Sequence, residues 1–359
     1  MTDTVRKAVE AGDAGGRPGR IRGVRDRLPA VWQWVATANT LWIFLVLVGL
    51  VVFFSVREPN FTDPVNLRSI AADNAPLLLL AVGMTYVIIT AGIDLSVGSV
   101  LIFSGVLAAK TMLWLGGGAT RASDAGWGVI LAGCAAGVLG GLGWGLLNGF
   151  LIAKMRVPAL IATLGTLGMA LGATYLISGG TDVRGIPLEF SRTVGFGLAF
   201  GTVPWLVVIA LAFAVVLGLV LAFTRFGQHT YAIGSNAEAA RRVGISVDRH
   251  LITVYGLSGL LAGTAGCLSL AHFSTTTISG HTADNLSAIA AVVLGGASLF
   301  GGSGTVTGTV IGLLVPAVLQ SGFVTIQVNP YWQYVAVGAV LILAVYLDQL
   351  RRTSRDQIR

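Results

Sequence analysis

"LAGCAAGVLGGLGWGLLNGF", residues 131–150, runs for twenty residues without a charge, with one amide (Asn148) and a glycine at every fourth position. A helix of that length covers ~30 Å, the thickness of a bilayer's hydrocarbon core. The glycines stand at Gly133, Gly137, Gly141, Gly145 and Gly149. At 3.6 residues per turn, each is rotated ~40° from the last, so the spacing predicts a groove that winds around the helix. Lipid supplies no hydrophobic drive between helices, and close backbone approach through small residues must take its place. Gly304, Gly308 and Gly312 repeat the spacing, as do Gly259 and Gly263.

The rest of the chain has the same character. Of 359 residues, 54% are hydrophobic and 11% charged, with a mean hydropathy of +0.81. An ordinary soluble domain carries about 25% charged residues. Apolar runs at 39–56, 72–90, 95–115, 128–152, 158–178, 203–223, 251–273, 286–299, 307–325 and 332–348 each read as a span, the eighth being short and glycine-rich. Period-two alternation is absent, which excludes a membrane β-barrel. The expected fold is an all-α polytopic membrane protein of about ten transmembrane helices, some interrupted. Its expected parts are a basic, disordered tail at 1–38, a transmembrane domain at 39–350 containing a loop at 224–250, and a short tail at 351–359.

Charge predicts the direction. With the N-terminus inside, seventeen Lys and Arg fall on inner segments and five on outer ones (Arg57, Arg68, Arg121, Arg184, Arg192). That is a positive-inside bias, and an even span number puts both tails in the cytoplasm. The net charge of +7 thus reflects orientation within a lipid bilayer and not a nucleic-acid surface.

Catalytic signatures are missing. None of Lys7, Lys110 and Lys154 follows a glycine, so there is no phosphate loop. His229, His250, His272 and His281 lack ligand spacing, no serine sits in GxSxG, and Cys134 and Cys267 lie within apolar runs. No enzyme activity, metal or cofactor is expected.

Three short segments remain. In "ITAGIDLSVGSVLIFSG" (89–105), two apolar runs meet at an acidic link. Asp94 is expected to cap the following helix or to mark a pathway, with Ser96 and Gly98 beside it. In "LGGASLFGGSGTVTGTVIG" (294–312), Gly295, Gly296, Gly301 and Gly302 interrupt a helix, as a path-lining break or as a hairpin. Asn74, Thr85, Asn148, Thr163, Thr166 and Asn285 are polar candidates along a path, or interhelical hydrogen-bond partners. The third segment, "SNAEAARRVG" (235–244), reads as a capped helix over 236–243. Ser235 and Glu238 form the expected capping box, Arg241 and Arg242 sit at the C-terminal end of the dipole, and Gly244 stops the helix. Asn236 and Ala239 lie within the same segment. Ala237, Ala240 and Gly244 are expected to give a bare face suited to a groove on another protein.

"GSNAEAARRVGI" (234–245) resembles the cytoplasmic coupling loop of permease subunits of bacterial ABC importers for monosaccharides, the ribose/xylose/galactose type. "AVGMTYVIITAGIDLSVGSV" (81–100) and "AVVLGGASLFGGSGTVTGTVIG" (291–312) are similar to that family's two other signature stretches. The likeness runs from about residue 40 to 350, and departs where Ala91 stands for the usual glycine and Val243 for a small residue. It implies a multi-pass protein of the bacterial cytoplasmic (inner) membrane, paired with a second permease copy or a related permease. It also implies a cytoplasmic ABC ATPase on the loop and an extracytoplasmic sugar-binding protein delivering a small sugar. Related permeases for nucleosides, polyols, autoinducer-type furanosides or branched-chain amino acids share the motifs loosely. An ion-coupled secondary transporter would need ion ligands that the sequence does not offer.

Overall fold

The computed structural model describes residues 39–281 and 283–329, together with 331, 332, 335, 338, 339, 342 and 346. The tails expected at 1–38 and 351–359, and most of the tenth span at 332–348, lie outside the described residues. What is described is helical, apart from a two-residue antiparallel hairpin pairing Leu198–Ala199 with Val203–Pro204.

The longer helices are α1 (Asn39–Arg57), α2 (Pro64–Asp73), α3 (Ala75–Ile89), α4 (Val97–Leu115), α5 (Trp127–Ala153), α6 (Ala159–Ser178) and α7 (Trp205–Phe223). Two short helices follow, α8 (Arg225–Ser235) and α9 (Ala237–Arg242), then α10 (Val247–Phe273), α11 (Asp284–Leu294) and α12 (Val306–Thr325). Six of them (α4, α5, α6, α7, α10 and α12) are long and apolar enough to cross a bilayer, and the bent pair α2–α3 makes a seventh.

Two expected spans take another form. The run at 72–90 starts at a 45° bend, where Asn74 ends α2 and Pro76 opens α3. Pro76 lacks the N–H that would donate to the Ala72 carbonyl, which breaks the ladder at the bend, and the Asn74 side-chain amide donates to the Ile70 carbonyl at 2.8 Å. The run at 286–299 is the eleven-residue α11, ~16 Å long at 1.5 Å per residue, which is half of what a crossing needs. It is preceded by non-helical chain and ends at Gly295.

Helix α3 is the axis of the bundle, buried at every residue from Leu78 to Ile89. Its apolar residues point all ways, as befits a helix surrounded by others. The hydroxyls of Thr85 and Thr309 meet at 2.7 Å and tie it to α12.

Helices α5 and α10 run antiparallel at backbone distance. A Cβ on Gly141 would lie 2.7 Å from the Gly263 Cα, and one on Gly145 would lie 2.9 Å from the Gly259 Cα. At one end of the series Gly149 abuts Ile252, while at the other Gly133 and Gly137 turn toward Met112, Ala108 and Ser104 of α4. The series therefore packs against two neighbours in succession, which a straight stripe would not do. No real Cβ tolerates such distances, so any larger residue must push the helices apart. Gly141→Leu is expected to abolish the folded, monodisperse protein in detergent, since overpacking costs ~1–3 kcal/mol even where side chains alone must yield. Gly143→Leu, which meets nothing within 4 Å, is expected to be recovered at parental yield. Size-exclusion chromatography of both variants checks the contrast.

Candidate functional site

The link between α3 and α4 is where the bundle keeps its buried carboxylate. Asp94 is 1% exposed. One carboxylate oxygen accepts from the Ser96 backbone N–H at 3.0 Å and the Ser96 hydroxyl at 2.6 Å; the other accepts from the Ser258 hydroxyl of α10 at 3.0 Å. Asp94 thus closes a local turn and does not cap the first turn of α4 as expected. Ser96 is the N-cap residue, and its own side chain is directed at the carboxylate instead of the helix. Ser258 lies eleven residues into α10, ~17 Å from its start, so the charge sits well inside the bundle.

Around this carboxylate the polar candidates gather. The Asn148 amide of α5 donates to the Ser96 hydroxyl at 2.8 Å, and the Thr166 hydroxyl of α6 donates to the Asn148 carbonyl at 2.7 Å. Thr163 bonds its own helix at the Ala159 carbonyl, 2.8 Å away. The Asn285 amide of α11 donates to the Leu95 carbonyl at 3.1 Å, and a Cβ on Gly98 would lie 2.7 Å from the His281 carbonyl oxygen. Four helices, α5, α6, α10 and α11, therefore touch the link through hydrogen bonds. Asn74 stands apart, at the α2–α3 bend. Ser258 was not distinguished by the sequence, where it is one hydroxyl in an apolar run. Among the described residues no group of three His, Cys, Asp or Glu is arranged to hold a metal.

The three singled-out segments converge on one place. The Gly302 N–H donates to the Ile89 carbonyl, at the end of α3, at 2.9 Å. A Cβ on Gly301 would lie 2.8 Å from both the Ala91 Cβ and the Gly234 carbonyl oxygen, and one on Gly302 would lie 2.6 Å from the Ser235 hydroxyl. The Tyr231 hydroxyl donates to the Gly304 carbonyl at 2.7 Å. So residues 89–92, 231–235 and 301–304 form one backbone-to-backbone junction. Gly296, Gly301 and Gly302 have φ of 90°, 84° and 75°, conformations natural only to glycine, while Gly295 closes against Gly308 of α12. Ala91, in the position where glycine is usual, holds φ 61° without that freedom.

Helix α9 departs from expectation in two ways. Its N-cap is Asn236, whose side-chain oxygen accepts from the Ala239 N–H at 2.9 Å; Ser235 still belongs to α8, and Glu238 pairs with Arg242 at 3.5 Å instead of reaching back. An N-cap needs extended backbone, which Asn236 has (φ −164°, ψ 100°) and a residue completing the preceding helix does not. Second, the alanine face points inward: Ala240 is 3% exposed and packs with Ile233 and Val247. The exposed face carries Glu238, Ala239, Arg242 and Val243, the last 77% exposed. The stop is as expected: Gly244 has φ 88°, with Gly244 N–H to Arg241 O and Ile245 N–H to Ala240 O both at 3.0 Å. Asp248 anchors the segment through Arg241 at 3.1 Å and Lys154 at 3.4 Å.

Comparison with known proteins shows the family. Residues 66–345 match the family described as branched-chain amino acid transport system / permease component. The ribose import permease protein of Bacillus subtilis (strain 168) is 37% identical over 85% of this chain and 91% of its own length. The L-arabinose ABC transporter permease protein of Azospirillum brasilense is 34% identical over 97% and 96%, respectively. The galactose/methyl galactoside import permease protein of Escherichia coli (strain K12) is 35% identical over 86% and 93%. No solved structure matches.

The Asp94 cluster generates a direct prediction. Asp94→Ala strands two hydroxyls and one N–H, each costing ~1–3 kcal/mol when buried without a partner. A large fall in the thermal midpoint in detergent is expected, with Asp94→Asn recovering at least half of it, because an amide oxygen still accepts. Equal midpoints for Asp94→Ala and the parent would remove the cluster from the account.

Proposed function

Since the chain belongs to the permease subunits of bacterial ABC importers for sugars, we propose that it carries a monosaccharide across the membrane by coupling α9 to the two interrupted helices. The protein is a multi-pass component of the inner membrane and forms the translocation path for a sugar; ATP hydrolysis resides in a separate ABC ATPase. Family membership also implies an extracytoplasmic binding protein.

The end of the bundle carrying Lys154, Arg156, Arg225, Arg241, Arg242 and Arg249 faces the cytoplasm, by the positive-inside bias. The chain makes about ten crossings, counting α1, the half-length α11 and the run at 332–348. The exposed face of α9, Glu238, Ala239, Arg242 and Val243, meets the ATPase, while Ala240 roots the helix in its own bundle. A second permease copy completes the path. The substrate is a pentose or hexose, as the names of the relatives suggest: ribose, L-arabinose, galactose.

One observation carries the coupling: the hydrogen bond from Gly302 N–H to Ile89 O, at the point where the α8–α9 segment meets both glycine-rich breaks. A push on α9 by the closing ATPase moves α8. Because α8 meets residues 301–302 and the end of α3 backbone to backbone at Gly234, the push reaches the Asp94 link and the loop ahead of α12 together. The Asp94 cluster then changes its alignment with α5, α6 and α10. Packed elements of this kind switch between discrete arrangements instead of deforming smoothly.

Glu238→Arg with Val243→Asp changes only exposed side chains. The double variant is expected to insert normally, to lose at least tenfold in ATPase affinity and to abolish uptake; co-purification with the ATPase and uptake in proteoliposomes measure both. Normal association and transport would show that α9 is not the docking element. Uptake is also expected to survive collapse of the proton gradient and to stop when ATP is withheld, which separates this reading from an ion-coupled carrier.

A further inference from the structure

Between Arg192 and Arg225 the chain carries no charge. Helix α7 accounts for the part from Trp205 on: it is apolar enough to cross the bilayer, and Leu211, Val215, Val216 and Leu219 give it an exposed, lipid-facing side. It does not account for residues 193–204, which lie ahead of the helix in the connection from α6. A connection in water is ordinarily polar. Here the only polar side chains are the hydroxyls of Thr193 and Thr202, while Leu198, Phe200 and Val203 are exposed.

These residues form the tight hairpin that pairs Leu198–Ala199 with Val203–Pro204. At its apex the Thr202 N–H donates to Ala199 O at 3.1 Å, and Phe200 and Gly201 hold φ of 53° and 71°. Asn, Asp or Gly is the usual first central residue of such a turn, because both central positions need positive φ. Phe200 has neither glycine's freedom nor a short polar side chain, and it is 94% exposed. In water this ring would be unfavourable twice over, by its backbone and by its exposure. Strained positions of this kind persist where the surroundings over-determine them, and they cluster at functional sites.

The hairpin's position identifies those surroundings. The N–H of Trp205, the first residue of α7, donates to Gly197 O at 3.1 Å, and the second strand packs on α2 and α7, so the hairpin is fixed at the mouth of α7. Trp114 lies in the last turn of α4, Trp127 opens α5 and Tyr175 lies in the last turn of α6; all three are exposed, as Trp205 is. Successive crossings by α4, α5, α6 and α7 bring these four aromatics to one end of the bundle, opposite α9. Tryptophan and tyrosine collect at the boundary between membrane and water, so they mark its level there. We propose that hairpin 198–204 is an interfacial anchor, with Phe200 seated among the phospholipid headgroups and first acyl carbons of that leaflet. The apolar tip continues the lipid-facing side of α7, whereas a protein-docking patch has a polar rim, which the uncharged stretch 193–204 does not supply. The inference goes beyond the transport reading and needs only a bilayer around the chain.

The test uses the full-length permease with its ATPase, in vesicles of phosphatidylethanolamine and phosphatidylglycerol and in a background of Cys134→Ala and Cys267→Ala. A nitroxide on Phe200→Cys is compared with one on Val216→Cys, facing lipid in α7, and one on Asp124→Cys, in the polar turn between α4 and α5. The ratio of its collision rates with oxygen and with a water-soluble nickel chelate is expected to be at least fivefold higher at 200 than at 124, approaching that at 216. A ratio equal to that at 124 would place the tip in water and overturn the proposal. Low collision rates with both reagents would show the tip covered by protein, a second copy or another subunit, and would overturn it equally. A nitroxide on Leu198→Cys carries the same expectations should Phe200→Cys fail to fold. Uptake of sugar does not enter the readout, so failure of the anchor and failure of the transport reading are told apart.

Discussion

The constraint on which this structure depends is the absence of a hydrophobic force between helices in lipid. In water an α5–α10 pair would be driven together by its apolar faces; in a bilayer those faces are equally content with acyl chains. What remains is dispersion at close range and hydrogen bonding, and both require backbone to approach backbone. Gly141 against Gly263, Gly145 against Gly259, and Gly295 against Gly308 meet this requirement. The same device then serves a second purpose. Where glycines bring the ends of α3, α8 and the 301–304 loop together, the contact is stiff, because main chain cannot swing aside as a side chain can. Packing and, in the proposed coupling, transmission come from one property.

A buried carboxylate in such a bundle is costly unless donors answer both of its oxygens. Asp94 has its answers from three donors on two elements, and Ser96 relays the network onward to Asn148 and Thr166. The link is thereby tied to α5, α6 and α10 by polar bonds and to α8 and the 301–304 loop by glycine contacts. It is a short segment in direct contact with α5, α6 and α10 and, through Ile89 and Ala91, with α8 and the 301–304 loop. A device that converts a push into a change of path needs such a segment.

The helical class, most span positions and the glycine groove were legible because hydropathy and residue size act locally along the chain. The glycine breaks were legible for the same reason: Gly296, Gly301 and Gly302 announce left-handed backbone. What escaped was three-dimensional. The alanine face of α9 reads as an outward surface until Ile233 and Val247, on neighbouring elements, are seen to cover Ala240. Ser235 reads as a cap until α8 extends through it. The convergence of 89–92, 231–235 and 301–304 has no sequence signal, since pairing between segments so far apart in the chain is decided by the packing of the whole bundle. Ser258 and Tyr231 are ordinary residues whose roles exist only by position.

Hydrogen exchange on the reconstituted permease, with and without its ATPase and nucleotide, addresses the coupling most directly. Binding is expected to protect α9, and nucleotide is expected to change exchange at Ile89–Asp94 and at 298–304 in the same step. Protection confined to α9, with both breaks unchanged through the nucleotide cycle, would contradict a rigid junction between them.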